Sequence, residues 1–140
     1  DESIQTALLM ATMSGVEVNL MFPCKPDHPF VYWATLSYVG ELIMAGANCY
    51  TYDNGFLHAK GLSIDGKACC YGTANMDIRS FALNFEVNAM IFDQNIAGEM
   101  ERIFREDLKC CTRITKEMYK SRSVWIRFKE QISRLLSPVL

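Results

Sequence analysis

The chain has 140 residues, half of them hydrophobic and 21% charged, which excludes a disordered or low-complexity chain and fits one globular domain. Its formal net charge is −2, so it lacks the basic excess of a nucleic-acid-binding surface, and no nucleic-acid partner is expected. The six cysteines, Cys24, Cys49, Cys69, Cys70, Cys110 and Cys111, contain no CxxC pair; free thiols are expected rather than a disulfide framework or a zinc site.

In chain order, apolar spacing predicts a helix over 3–14, with Ile4, Leu8 and Ala11 on one face and Gly15 as its stop. "VEVNLMF" alternates as a strand ended by Pro23, and "PCKPDHP" reads as a loop. His28 lies in that loop and is given no role. "FVYWATLSYVGELIMAGA" is the longest apolar stretch, but it contains Thr35, Ser37 and Glu41. A membrane span needs roughly 20 mostly apolar residues, so a buried helix over 30–45 is expected, closed by Gly46. Trp33, Leu36, Val39 and Ile43 recur at helical spacing and should face the core.

"NCYTY" is a short strand. "HAKGLSI" and "KACCYG" are two more, joined at Asp65-Gly66, a dipeptide favoured in tight hairpins. "NFEVNAMIFD" reads as the longest strand, with Phe85, Val87, Ala89 and Ile91 facing one way. Helices follow over 95–108 and 123–136, the second with Val124, Phe128, Ile132, Leu135 and Leu136 on its apolar face. Arg122, Arg127, Lys129 and Arg134 sit beside Trp125 and Phe128 there, which suits either a face resting on anionic lipid or a solvated face over a core helix. The expected class is α/β, a mixed β-sheet flanked by helices.

"HAKGLSID" places His58, Lys60 and Asp65 among small and apolar residues. Strand residues two apart share a face, so His58 and Lys60 should project together. Thr73 and Asn75 in "GTANMD" have the same spacing, and Asn84, Glu86 and Asn88 alternate with the apolar residues of the next strand. An imidazole, an ammonium, a hydroxyl, an amide and a carboxylate that converge can hold a phosphate, attack phosphorus and orient the attacking ring. Singly, each residue has a plainer reading as core, turn or cap.

"HAKGLSID" followed by "GTAN" matches the HxKx4D signature and trailing G-S/T-x-N segment of the phospholipase D superfamily. The flanks "KPDHPFVYWATLSYVGELIMAGANCYTYDNGFLHAK", "GTANMDIRSFALNFEVNAMIFD" and "WIRFKEQISRLLSPVL" resemble the C-terminal catalytic half of bacterial cardiolipin synthases. This resemblance implies one phospholipase D-like half-domain over 1–140. It implies His58 as either the nucleophile that forms a phosphohistidine or the acid that protonates the leaving alcohol. Lys60, Thr73 and Asn75 match the phosphate-holding positions, and Asp65 the motif aspartate, in structural support. Glu86 matches the acid that fixes the histidine tautomer. Gly61 stands where these synthases commonly carry threonine, which softens the strand without touching the polar set.

The implied reaction is phosphatidyl transfer between two phosphatidylglycerol molecules. No metal or other cofactor is expected, because Lys60 can supply the positive charge. The superfamily's site uses two motifs, whereas this sequence has one. With a chain that opens on "DESIQTALLM" rather than methionine, this predicts a fragment of a longer protein. The expected partner is the N-terminal motif-bearing half of the same parent chain, with a weak homodimer as substitute. The parent is expected at the bacterial cell membrane with its catalytic domain towards the cytoplasm, and the fragment itself soluble. Two other readings stand beside this one: a single-motif phosphodiesterase or nuclease that acts as a homodimer, and a non-catalytic scaffold with a relic motif.

Overall fold

The computed structural model of the chain describes residues 1–24 and 29–136, without the side chains of residues 29 and 30. Most of the loop expected at "PCKPDHP", including His28, lies outside the described residues.

Helix α1 (Glu2–Met13) starts where Asp1 accepts hydrogen bonds from the Ser3 and Ile4 amides, satisfying two otherwise unpaired donors. Strand β1 (Asn19–Pro23) is shorter than expected and lies at a sheet edge, where a terminal proline removes no needed donor. Helix α2 (Pro29–Ala45) ends at Gly46, whose φ of 117° suits a residue without Cβ. Strand β2 (Asn48–Tyr52) follows and pairs parallel to β1. The core lies between these elements. Phe22, Leu36, Val39, Leu42, Ile43, Ala47 and Cys49 are buried together, and Trp33 packs at their margin. Each large aliphatic side chain so buried contributes about 1.5–3 kcal/mol. Burial pushes the Cys49 thiol up to about 12, against the opposing pull of Arg113, so it behaves as an apolar packing group. All six cysteines are free thiols.

The third strand of this mixed sheet is β6 (Cys111–Ile114), antiparallel to β2. The other three strands form a separate antiparallel sheet: β3 (Gly61–Ile64), β4 (Ala68–Gly72) and β5 (Asn88–Ile91), in the order β3-β4-β5. The chain is therefore α/β with a mixed sheet flanked by helices, and carries a second small sheet. Helix α4 (Gln94–Leu108) lies against strands of both, with Ala97 fully buried. Asp65 and Gly66 have φ values of 51° and 60°, and the Lys67 amide donates to the Ile64 carbonyl at 2.9 Å. Positive φ at both central residues is the two-residue hairpin that Asp-Gly favours.

Three expectations need correction. β3 begins at Gly61, so His58 and Lys60 precede the strand. β5 spans only Asn88–Ile91, because Phe85 and Val87 meet no apolar layer among the described residues and stand exposed. Helix α6 (Val124–Leu136) turns its polar side inward. Glu130 is 2% exposed and accepts a 2.8 Å hydrogen bond from Arg122 Nη1, while Arg134 pairs with Glu41 of α2. The apolar stripe of α6 faces out, so it is not an ordinary core helix.

Two short helices, α3 (Ile78–Ala82) and α5 (Lys116–Lys120), were not anticipated. α5 brings Tyr119 over Gly40, where an added Cβ would lie 1.7 Å from the tyrosine Oη. Arg122 in turn lies over the Tyr119 ring at 3.1 Å.

Candidate active site

The β3-β4-β5 register explains why distant residues meet. Gly61 pairs with Tyr71, and Gly72 with Asn88. One step beyond β3, the Gly72 amide donates to the Lys60 carbonyl at 3.3 Å. Beyond β4, Thr73 N–H donates to the Val87 carbonyl and Val87 N–H donates to Thr73 Oγ1, both at 3.0 Å. The segments of Lys60, Thr73 and Glu86 therefore lie at the same end of one sheet. His58 is two residues further along the first of them.

Gly72 is the tight point of this arrangement. A Cβ there would lie 2.2 Å from both Asn88 Oδ1 and the Val87 carbonyl oxygen. Without it, Asn88 reaches the loop and its Oδ1 accepts from the Ala74 amide at 3.4 Å. Asn75 is fixed from the other side. Its N–H donates to Oγ of Ser80 at 3.1 Å, and the Ser80 amide donates to Asp77, the α3 cap, at 2.7 Å. Ser80 is buried, whereas Thr73 and Asn75 are exposed.

Electrostatically, the Thr73 hydroxyl is the main influence that holds the Glu86 carboxyl below the usual glutamate range; desolvation opposes it, and Asn84 and Ser80 assist. The Asn84 amide donates to Glu86 Oε1 at 3.3 Å. Glu86 is consequently an anion at neutral pH. The exposed His58 ring stacks on Phe56 with centroids 5.6 Å apart and planes at 23°. Lys60 Nζ reaches the His58 carbonyl at 3.4 Å.

Asp65 is not brought to this end. It occupies the β3–β4 turn, with the full length of β3 between it and Lys60, and the turn rests near Glu101 and Gly98 of α4. Ser80 and Asn88 are the supports that sequence reasoning left unassigned. The Asp77-to-Ser80 spacing is a helix-start signal that could have marked Ser80. Asn88 already stood among the alternating polar residues, but its bond to the Ala74 amide becomes visible only through the register.

The polar set is open. Phe56, Leu83, Phe85 and Val87, near it in sequence, are all exposed. Among the described residues, no helix is long and apolar enough to cross a membrane.

The family model described as "Cardiolipin synthase, PLD-like domain" matches residues 1–108, and the chain belongs to this family of phospholipase D-like domains. Its similarity to curated proteins extends over all 140 residues. It is 56% identical to the cardiolipin synthase of Oceanobacillus iheyensis and 56% identical to the major cardiolipin synthase ClsA of Bacillus subtilis. It is 54% identical to cardiolipin synthase 1 of Staphylococcus epidermidis. In each case the chain spans 29% of the relative's length.

Proposed function

We propose that this domain supplies one half of a phosphatidyltransferase site that makes cardiolipin from phosphatidylglycerol. The observation that carries the reading is the gathering of the His58–Lys60, Thr73–Asn75 and Glu86 segments at one open end of the β3-β4-β5 sheet, with Glu86 held ionised.

In the proposed reaction a neutral histidine ring attacks the phosphorus of phosphatidylglycerol. A P–N bond forms, the P–O bond to the glycerol headgroup breaks, and a second histidine gives the leaving oxygen its proton. A hydroxyl of a second phosphatidylglycerol then attacks the phosphohistidine and surrenders its proton to the same second histidine. The P–N bond breaks and cardiolipin leaves. His58 takes one of these two roles. Lys60 and the side chains of Thr73 and Asn75 stabilise charge on the non-bridging oxygens, the largest electrostatic contribution to such chemistry. Glu86 orients the His58 ring and stabilises its protonated form. Asp65 supports the hairpin that carries β3.

The second histidine belongs to the N-terminal, motif-bearing half of a longer parent chain. The exposed Leu83, Phe85 and Val87 support a partner there, since a sheet margin this apolar gains stability when covered.

A single HxK motif in the sequence also favours a second reading, a phosphodiesterase or nuclease completed by two copies. Thin-layer separation of lipid products from phosphatidylglycerol, run beside a nuclease assay on the longer protein, distinguishes them. Cardiolipin that disappears on His58→Ala, with circular dichroism unchanged, is the expected result. Wild-type cardiolipin output from that variant, or nucleic-acid cleavage without lipid transfer, would overturn the proposal.

A further inference from the structure

We infer that the outward face of α6 docks the protein on the surface of an anionic phospholipid bilayer. This rests on the lipid-transfer reading above and adds to it a place of contact with the substrate's own membrane.

The starting observation is the inverted packing of α6. Its inner side carries Glu130 and Ser133, both nearly inaccessible, with Arg134 paired to Glu41. Its outer side carries Trp125, Phe128, Ile132 and Leu135, with Trp125 76% and Leu135 81% exposed. These residues fall within about a third of the helix circumference at 3.6 residues per turn. A stripe of this kind in water forgoes the gain of burying its large side chains. The sequence therefore keeps an apolar face that the described residues do not cover.

Charge identifies the occupant. At helical spacing Lys129 borders the stripe and lies 5.5 Å over the Trp33 ring, while Arg127 lies further round the helix, where its Nη2 donates to the Lys120 carbonyl; both are exposed. The one acidic residue of α6, Glu130, points inward to Arg122. The outer face thus offers apolar groups beside exposed cations and, among the described residues of α6, no carboxylate, which matches an anionic lipid interface. Trp125, which packs edge-on with Phe128 at 6.5 Å, has the apolar body and polar N–H suited to headgroup depth.

The test is binding of the 140-residue chain to vesicles of phosphatidylglycerol and, separately, of phosphatidylcholine. In a Trp33→Phe background Trp125 is the sole tryptophan. Its emission should shift to the blue on phosphatidylglycerol vesicles and be quenched by bromine on the acyl chains. Trp125→Ser with Phe128→Ser should weaken partitioning by about tenfold or more. Arg127→Gln and Lys129→Gln should each weaken it about fivefold on phosphatidylglycerol and little on phosphatidylcholine. His58→Ala should bind vesicles normally, so loss of docking and loss of chemistry are read separately. Three results would overturn the inference: vesicle binding that leaves Trp125 unquenched, no vesicle binding at all, or a Trp125 already shielded without lipid. Shielding that rises with chain concentration would assign the face to a second copy. Shielding only in the longer protein would assign it to the remainder of that protein.

Discussion

Gly72 and Asn88 approach so closely that any side chain on the first would displace the second. The contact joins the end of β4 to the start of β5, and Asn88 Oδ1 then holds the Ala74 amide between Thr73 and Asn75. A backbone contact thus sets where Thr73 and Asn75 lie.

Gly72→Ala should therefore harm the site more than the fold. Overpacking of this kind costs about 1–3 kcal/mol, whereas the shift of Thr73 and Asn75 should cut transfer by about 100-fold. Urea unfolding and the transfer rate of the same preparation give both numbers. A variant that keeps its rate would show that Gly72 does not place the site.

If Glu86 orients the His58 ring as proposed, Glu86→Gln should slow turnover about tenfold with little change in KM, since Lys60, Thr73 and Asn75 remain. The Glu86 carboxyl has a depressed pKa in the folded chain. Its contribution is present above the ordinary glutamate value and is lost as pH falls through the folded value. Removing this negative charge also disfavours the imidazolium, so the histidine-dependent limb of the pH–rate profile should move to lower pH. An unmoved limb would exclude Glu86 as the partner of His58.

Asp65→Asn should preserve both stability and transfer rate within about threefold, because asparagine accepts the positive φ of this turn as readily as aspartate. Asp65→Val should cost about 1 kcal/mol or more at the same position. Abolished transfer in the stably folded asparagine variant would give the carboxylate a chemical task.

Glu130→Ala should destabilise the chain by about 3 kcal/mol, because it leaves the largely covered Arg122 guanidinium without its counter-charge. The Arg122 Nε is already buried without a hydrogen-bond partner. Burial raises the Glu130 carboxyl above the ordinary 4.5, while Arg122 pulls it down. Because the folded pKa is raised, this group's contribution is largest below 4.5 and declines as pH rises through the folded value. Glu130→Gln should flatten that decline in urea midpoints measured across pH; an identical slope in the variant would contradict the assignment.

These features differ in how far the sequence disclosed them. α2, β2 and the Asp65-Gly66 hairpin were legible because each has a local cause: helical spacing, β propensity, a dipeptide with one preferred turn. β6 was not, since four residues, "CTRI", offer too little alternation without knowing that β2 has a free edge. Alternation in "NFEVNAMIFD" suggests two faces, but Phe85, Val87 and Ala89 are all exposed and meet no apolar layer among the described residues, and the ladder starts at Asn88. The same limit applies to α6. Periodicity reveals that an apolar stripe exists, while the Arg122–Glu130 and Arg134–Glu41 pairs decide that it faces outward. At the site, the HxK spacing names the candidate residues, but the Gly72–Asn88 contact depends on register between strands 15 residues apart, and the Ser80 support on a short helix start that carries little apolar pattern.

The central claim is that the His58 face is half of a two-histidine site. Its most direct test is transfer from phosphatidylglycerol by the 140-residue chain, measured as specific activity against protein concentration, with sedimentation to count subunits. A lone histidine forgoes acid–base help worth about 10²–10⁴ in rate, so a monomer should make negligible cardiolipin. Any residual phosphodiester cleavage should rise more steeply than linearly with concentration. Robust transfer by a demonstrated monomer, constant per milligram across the dilution series, would contradict the account.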